Sequence, residues 1–179
     1  GVLPPAGMIF EVVQGEGGSI PAPIEWIREM RRITKERGIP LIIDEVQTGI
    51  GRTGKLFAFE HADIIPDVIV LSKAIGGSLP LSVVIYDKDL DQWSPGAHIG
   101  TFRGNQMAMA AGAATLKFIK ENDLASHAGR MGEKLMDSLK ELQEDIHEIG
   151  DVRGRGLMVG VEIVNPLYQP APNGSYPAN

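Results

Sequence analysis

LIIDEVQTGIGRTG, residues 41–54 with Lys55 behind it, admits competing readings, and the fold turns on which one holds. Gly49, Gly51 and Gly54 fit the dinucleotide pattern G-x-G-x-x-G, and Gly49 to Lys55 fit the opening of a P-loop, G-x-x-x-x-G-K. A dinucleotide turn runs directly from strand to helix, so that the helix N-terminus meets the pyrophosphate. Here Asp44, Glu45, Val46, Gln47 and Thr48 intervene between the apolar strand and the first glycine. The acid that should close the next strand is also misplaced, because Asp67 opens its run, DVIVLS. The P-loop pattern fails at one residue: Leu56 stands where a Ser or Thr would hold magnesium. A loop that simply needs a pliant backbone accounts for the glycines as well. The residues flanking them carry more information.

Composition narrows the field. A chain of 179 residues, 43% hydrophobic and 22% charged, can bury a sizeable core and is not a disordered tail. A formal charge of −6 argues against a nucleic-acid surface. No apolar run approaches the roughly 20 residues that span a bilayer. The absence of cysteine removes disulfides, thiolate chemistry and zinc–thiolate sites, and leans towards the cytoplasm. His61, His98, His127 and His147 show no metal-ligand spacing. The chain opens on Gly1 without a signal-peptide pattern and is expected to come from something longer.

The chain alternates between strand and helix. MIFEVVQ (8–14), PLIID (40–44), DVIVLS (67–72) and LSVVIYD (81–87) read as apolar strands. Pro23 opens a helix that Gly38 closes, with Ile24, Ile27, Met30 and Ile33 near one face. A helix over 105–122 is rich in small residues and suited to close backbone packing. A longer one carries the stripe Leu124, Ala128, Met131, Leu135, Leu139, Leu142, Ile146 and Ile149. VRGRGLMVGVEIV predicts a turn and a new strand, and NPLYQPAPNGSYPAN a closing loop. Continuous apolar strands between helices predict an α/β fold with a mostly parallel sheet covered on both faces.

Asp44 and Lys73 each follow an apolar strand, so both carboxylate and amine can meet one ligand at the sheet's carboxyl edge. A lysine emerging from a buried strand is expected to lose solvation, which lowers its pKa and makes it a nucleophile. A Schiff-base lysine and an aspartate pairing with a pyridinium nitrogen are what pyridoxal phosphate requires. An ordinary Asp–Lys ion pair at a strand edge fits the same two residues.

Four stretches in order, EVVQGEGG (11–18), LIIDEVQTGIGRTG (41–54), LSKAIGGSLPLS (71–82) and HIGTFRGNQ (98–106), resemble the class III aminotransferases. The resemblance covers most of residues 1–164 and implies the fold type I pyridoxal-phosphate-dependent transferase architecture. Residues 1–149 would belong to the large cofactor domain and its exit helix, and 150–179 to the start of a small C-terminal domain. Within the family, residues 44–61 and 98–106 most resemble members that move the terminal amino group between 2,4-diaminobutyrate and 2-oxoglutarate or glutamate. Acetylornithine and ornithine types are the nearest alternatives.

The resemblance implies a role for each matching residue. Lys73 is similar to the lysine that binds the cofactor and then carries a proton at the substrate carbon. Asp44 is similar to the carboxylate that keeps the pyridine nitrogen protonated, and Gln47 to the side chain on the cofactor's 3′-oxygen. Thr101 matches a phosphate ligand given to the neighbouring subunit, which implies a homodimer or higher homo-oligomer. Glu16 matches a substrate-gating glutamate that pairs with a C-terminal arginine, and Glu11 an acid behind Asp44. The glycine loop becomes a lining of the cofactor and dimer region. His98, Trp26 and Trp93 are expected to pack. The family's phosphate loop and ring-stacking aromatic have no match before Gly1, nor has its carboxylate-binding arginine before Asn179. This polypeptide alone is therefore expected to be inactive, and a non-catalytic oligomerisation module is the alternative.

Overall fold

In the computed structural model, residues 3–165 are described, and four strands form the central sheet. MIFEVVQ divides at Val12 into β1 (Met8–Glu11) and β2 (Val13–Gln14), and β2 pairs antiparallel with β3 (Ile20–Pro21). The helix α1 (Ile24–Glu36) follows Pro23, which stands at its N-cap with φ −59° already set for the chain's entry. Then come β4 (Leu41–Asp44), β5 (Val68–Leu71) and β6 (Val83–Tyr86). Strands β1, β4 and β5 run parallel, and β6 runs antiparallel to β5, which is the mostly parallel sheet the sequence predicts.

Packing is strongest on one side. Leu41 and Ile43 alternate onto a single face of β4 and are fully buried with Val12, Val13, Ile27 and Ala58, with Phe59 buried beside them. Each large aliphatic in this group contributes about 1.5–3 kcal/mol relative to exposure. On the opposite face, that of Ile42 and Asp44, Ile9 and Val84 are exposed, so among the described residues the sheet is not covered on both faces. Phe10 and Trp26 meet edge to face at 4.9 Å, and Tyr86 and Trp93 at 5.3 Å, so both tryptophans pack.

The helix α2 (Gln106–Glu121) begins where Asn105 accepts from Met107 N and Ala108 N at 3.1 and 3.2 Å. Its small residues have a specific partner. A Cβ on Gly112 would stand 2.6 Å from Ile75 O, so the helix backbone presses onto the turn that follows β5. Helix α3 (Leu124–Asp145) ends earlier than its apolar stripe predicts. Ile146 is extended at its C-cap and Ile149 opens β7 (Ile149–Arg155), which pairs with β8 (Met158–Ile163) as an antiparallel hairpin. The expected turn and single strand are therefore two strands. No helix among the described residues is long and apolar enough to cross a membrane.

Candidate active site

The site grows from the carboxyl ends of β1, β4 and β5. Glu11 is the register partner of Asp44, and Asp44 is the register partner of Val70, three residues before Lys73. Three acid–base groups thus leave neighbouring parallel strands at one edge, the place where α/β sheets bind ligands.

Each group is held by its own local device. Asp44 Oδ1 accepts from Val46 N at 2.9 Å, a tight turn that leaves Oδ2 without a hydrogen bond among the described residues. Glu11 Oε2 accepts from Gly15 N at 2.7 Å. Gln47 Nε2 donates to Glu16 Oε1 at 2.9 Å. Lys73 opens a 3₁₀ turn, Lys73–Gly76, with φ +49°, a left-handed conformation that costs a non-glycine residue about 1 kcal/mol or more. Ser72 secures the flanks of this excursion by donating to Leu81 O at 3.1 Å.

The expected desolvation of Lys73 is absent: its side chain is exposed, and among the described residues it has no hydrogen bond or ion pair. Its availability comes from lacking a partner, not from burial, and no Asp–Lys ion pair forms. Lys73 lines a cavity of about 340 Å³ with Ser19, Gln47, Arg52, Leu157, Met158 and Val159. The charged members of this wall are both cations, which suits phosphate and carboxylate ligands. Thr101 is not brought there and lies in an exposed turn over residues 101–104.

The glycine loop is no phosphate cradle. Gly49 N donates to Glu45 O at 3.0 Å, Gly51 N to Leu56 O at 3.0 Å and Gly54 N to Gly51 O at 3.2 Å, so its glycine donors are spent internally. No α-helix starts behind it; a 3₁₀ turn, Ala58–Ala62, follows. Asp67 is structural as well, accepting from both Arg31 and Leu41 N. The loop instead joins the sheet to the hairpin, with Leu157 N donating to Arg52 O at 3.0 Å.

Beside the site, Glu45 is 1% exposed. Thr48 Oγ1 and Phe59 N donate to its two oxygens at 2.5 and 3.0 Å. Burial pushes its carboxyl above the usual range against the pull of these bonds. Sequence reasoning missed Arg52, Ser19 and the hairpin wall. Arg52 sits inside the quoted motif, yet only its contact with Leu157, more than 100 residues away, brings it to the cavity.

Comparison with known proteins identifies the family. Residues 4–171 match the family described as "Aminotransferase class-III". The diaminobutyrate–2-oxoglutarate aminotransferase of Rhizobium meliloti (strain 1021) is 58% identical over 177 residues, covering 99% of this chain and 38% of that protein. The Haemophilus influenzae protein of the same name is 51% identical, with 99% and 39% covered. The chain thus spans under two fifths of the curated relatives it matches. Among solved structures, the ornithine aminotransferase of Toxoplasma gondii ME49 superposes with TM-score 0.87 at 35% identity, covering 92% of this chain and 40% of that one. An amine transaminase from an uncultivated Pseudomonas species, in its PLP-bound form, gives 0.86 at 33% identity, with 93% and 40% covered. This α/β chain belongs to the class III aminotransferases.

Proposed function

We propose that this chain is part of a pyridoxal-phosphate-dependent transaminase. Its reaction moves the terminal amino group between 2,4-diaminobutyrate and 2-oxoglutarate or glutamate. The observation that carries this reading is the convergence of an unpaired Lys73 and Gln47 on one cationic cavity, with Asp44 at the adjacent strand end. Diaminobutyrate is favoured over ornithine because the relatives named for it are 58% and 51% identical, against 35% for the ornithine enzyme.

The residues fit the cofactor. Asp44 Oδ2 is free to accept a hydrogen bond from a protonated ring nitrogen, and Lys73 Nζ is free to condense with an aldehyde. When bound, pyridoxal phosphate supplies that aldehyde and an electron-withdrawing ring. Lys73 would hold the group through that aldehyde and would carry a proton at the substrate carbon. Asp44 would hold the proton on the ring nitrogen by its charge. The Gln47 amide would orient the ring oxygen, and Glu16, bonded to that amide, would face the substrate. Glu11 steadies the turn beside Asp44. Arg52 supplies the positive charge that attracts anionic substrates to the cavity.

Thr101, exposed and outside the cavity, suits a phosphate contact given to a second copy, so the working form is at least a homodimer; its placement in the cytoplasm rests on the absence of cysteine. Residues 1–149 form part of the large cofactor domain, and 150–179 begin the small one; 166–179 lie outside the described residues.

The test is borohydride reduction of the full-length enzyme with pyridoxal phosphate, followed by peptide mapping and an amino-transfer assay. Label on the Lys73 peptide, with glutamate formed from diaminobutyrate and 2-oxoglutarate, is the expected result. Label scattered over surface lysines overturns the assignment of Lys73. Faster turnover with ornithine overturns the choice of donor.

A further inference from the structure

The turn over residues 15–18 is fastened from two sides. Gly15 N donates to Glu11 Oε2 at 2.7 Å, and Gly15 O accepts from Gly18 N at 3.1 Å. On the far side, Gly18 O accepts from Arg153 Nε of β7 at 2.8 Å. Arg153 is itself braced by Asp151 and Glu162, at 2.8 and 3.0 Å. Sheet and hairpin therefore grip one short piece of backbone.

The Gln47 side chain rests against that piece. Its Nε2 reaches Glu16 Oε1 at 2.9 Å. A Cβ on Gly15 would stand 2.5 Å from Gln47 Cδ and 2.6 Å from both Oε1 and Nε2. Near-equal approach to all three atoms means the flat face of the amide lies over the bare Cα. The backbone does not demand glycine here, because Gly15 and Gly17 are outside the positive-φ region that Gly18 occupies. What excludes a side chain at position 15 is the amide.

We propose that Gly15 is a positioning residue for Gln47: its bare Cα and the Glu16 carboxylate together seat the amide in the Lys73 cavity in a single orientation. This rests on the transaminase reading, in which Gln47 touches the cofactor. The atoms nearest a methyl at position 15 are all at the far end of a flexible side chain, so the fold accommodates it while the amide moves off its seat. Position 17 is the natural control, because the atoms nearest a Cβ there all belong to the exposed Gln14 side chain.

The experiment compares Gly15→Ala, Gly17→Ala, Gln47→Ala and the double variant Gly15→Ala/Gln47→Ala in the full-length enzyme. Readouts are thermal stability of the apo protein, cofactor affinity by titration with pyridoxal phosphate, and the absorbance band of the bound cofactor. Gly15→Ala should leave stability near that of the unaltered enzyme, shift the band, and weaken cofactor binding about three- to tenfold, the factor one hydrogen bond carries. Gly17→Ala should change neither affinity nor band, and the double variant should match Gln47→Ala alone. Unaltered affinity and band in Gly15→Ala, no effect of Gln47→Ala, or losses that simply add in the double variant each overturn the proposal. An unaltered enzyme that takes no label on Lys73 instead brings down the transaminase reading and this assignment with it.

Discussion

Glu11 and Asp44 are register partners across β1 and β4, yet each carboxylate is tied to a different backbone donor, Gly15 N for one and Val46 N for the other. The two acids are therefore neighbours with separate tasks. Asp44 keeps one oxygen free at the strand end, whereas Glu11 closes the turn that leads to Glu16. In the full-length enzyme, Asp44→Asn should lower kcat by about 10²–10³-fold, the range for loss of a preorganised charge. Glu11→Gln keeps an acceptor for Gly15 N and should lose less than about tenfold, within the worth of one charged hydrogen bond. Steady-state kinetics with diaminobutyrate decide between them. Equal losses would place Glu11 in the chemistry beside Asp44.

Asp67 ties three elements together. Arg31 of α1 donates to its two oxygens at 2.5 and 3.1 Å, and Leu41 N of β4 donates at 2.8 Å. Partial burial pushes the carboxyl upward, but the Arg31 and Leu41 bonds outweigh it and hold the group below its usual range. A depressed carboxylate contributes stability above its unfolded pKa, and that contribution fades as pH falls through the folded value. Asp67→Asn should lower the melting temperature at pH 7 and narrow its gap to the unaltered protein below about pH 4. A gap constant from pH 7 to pH 3 would show that the charge contributes nothing.

Glu45 predicts the opposite sign. Burial raises its carboxyl above the usual value of 4.5 despite its bonds to Thr48 and the backbone at Ala58 and Phe59. A raised acid favours the fold below its unfolded pKa and loses that contribution as pH climbs through the folded value. Glu45→Gln keeps the size and can exchange hydrogen bonds with Thr48 and Phe59. The unaltered protein should therefore lose stability relative to Glu45→Gln as pH rises from about 4.5. Thermal melts of both proteins across pH 4–8 measure this. A difference independent of pH would mean that Glu45 ionises as freely as a surface acid.

What could be read in the sequence follows from the range of each interaction. β4 and β5 announce themselves by apolar runs ended by Asp44 and followed by Lys73, because strand burial and strand end are local facts. Asn105 before a run of small residues marks the start of α2 for the same reason. The end of α3 is different. Its stripe continues in period through Ile149, but pairing of Ile149 with Ile163 claims that residue for a strand. Lys73 also misleads, since the apolar strand before it implies burial while the turn it opens lifts it into the open. Arg52, Ser19 and Met158 share a cavity only because the hairpin folds back on the glycine loop. No periodicity records a contact across so many residues.

That return contact is where the fold should be most easily broken. Gly156, at the hairpin turn, has φ +57°, and a Cβ there would stand 2.5 Å from Thr53 C and 2.7 Å from Arg52 O. Those are backbone atoms of a loop whose own hydrogen bonds are closed, so they cannot swing aside as a side chain would. Gly38 supplies the comparison, because it has φ +63° but nothing within 4 Å of an added Cβ. Gly38→Ala should cost only the left-handed backbone term, about 1–2 kcal/mol. Gly156→Ala adds overpacking of about 1–3 kcal/mol to the same term. It should also shift Leu157 to Val159, which wall the Lys73 cavity, and raise KM for both substrates while Gly38→Ala leaves KM unchanged. Denaturant melts and steady-state kinetics on the two full-length variants separate the terms. Equal losses of stability, with KM unmoved in both, would mean that the hairpin neither grips the loop nor shapes the cavity.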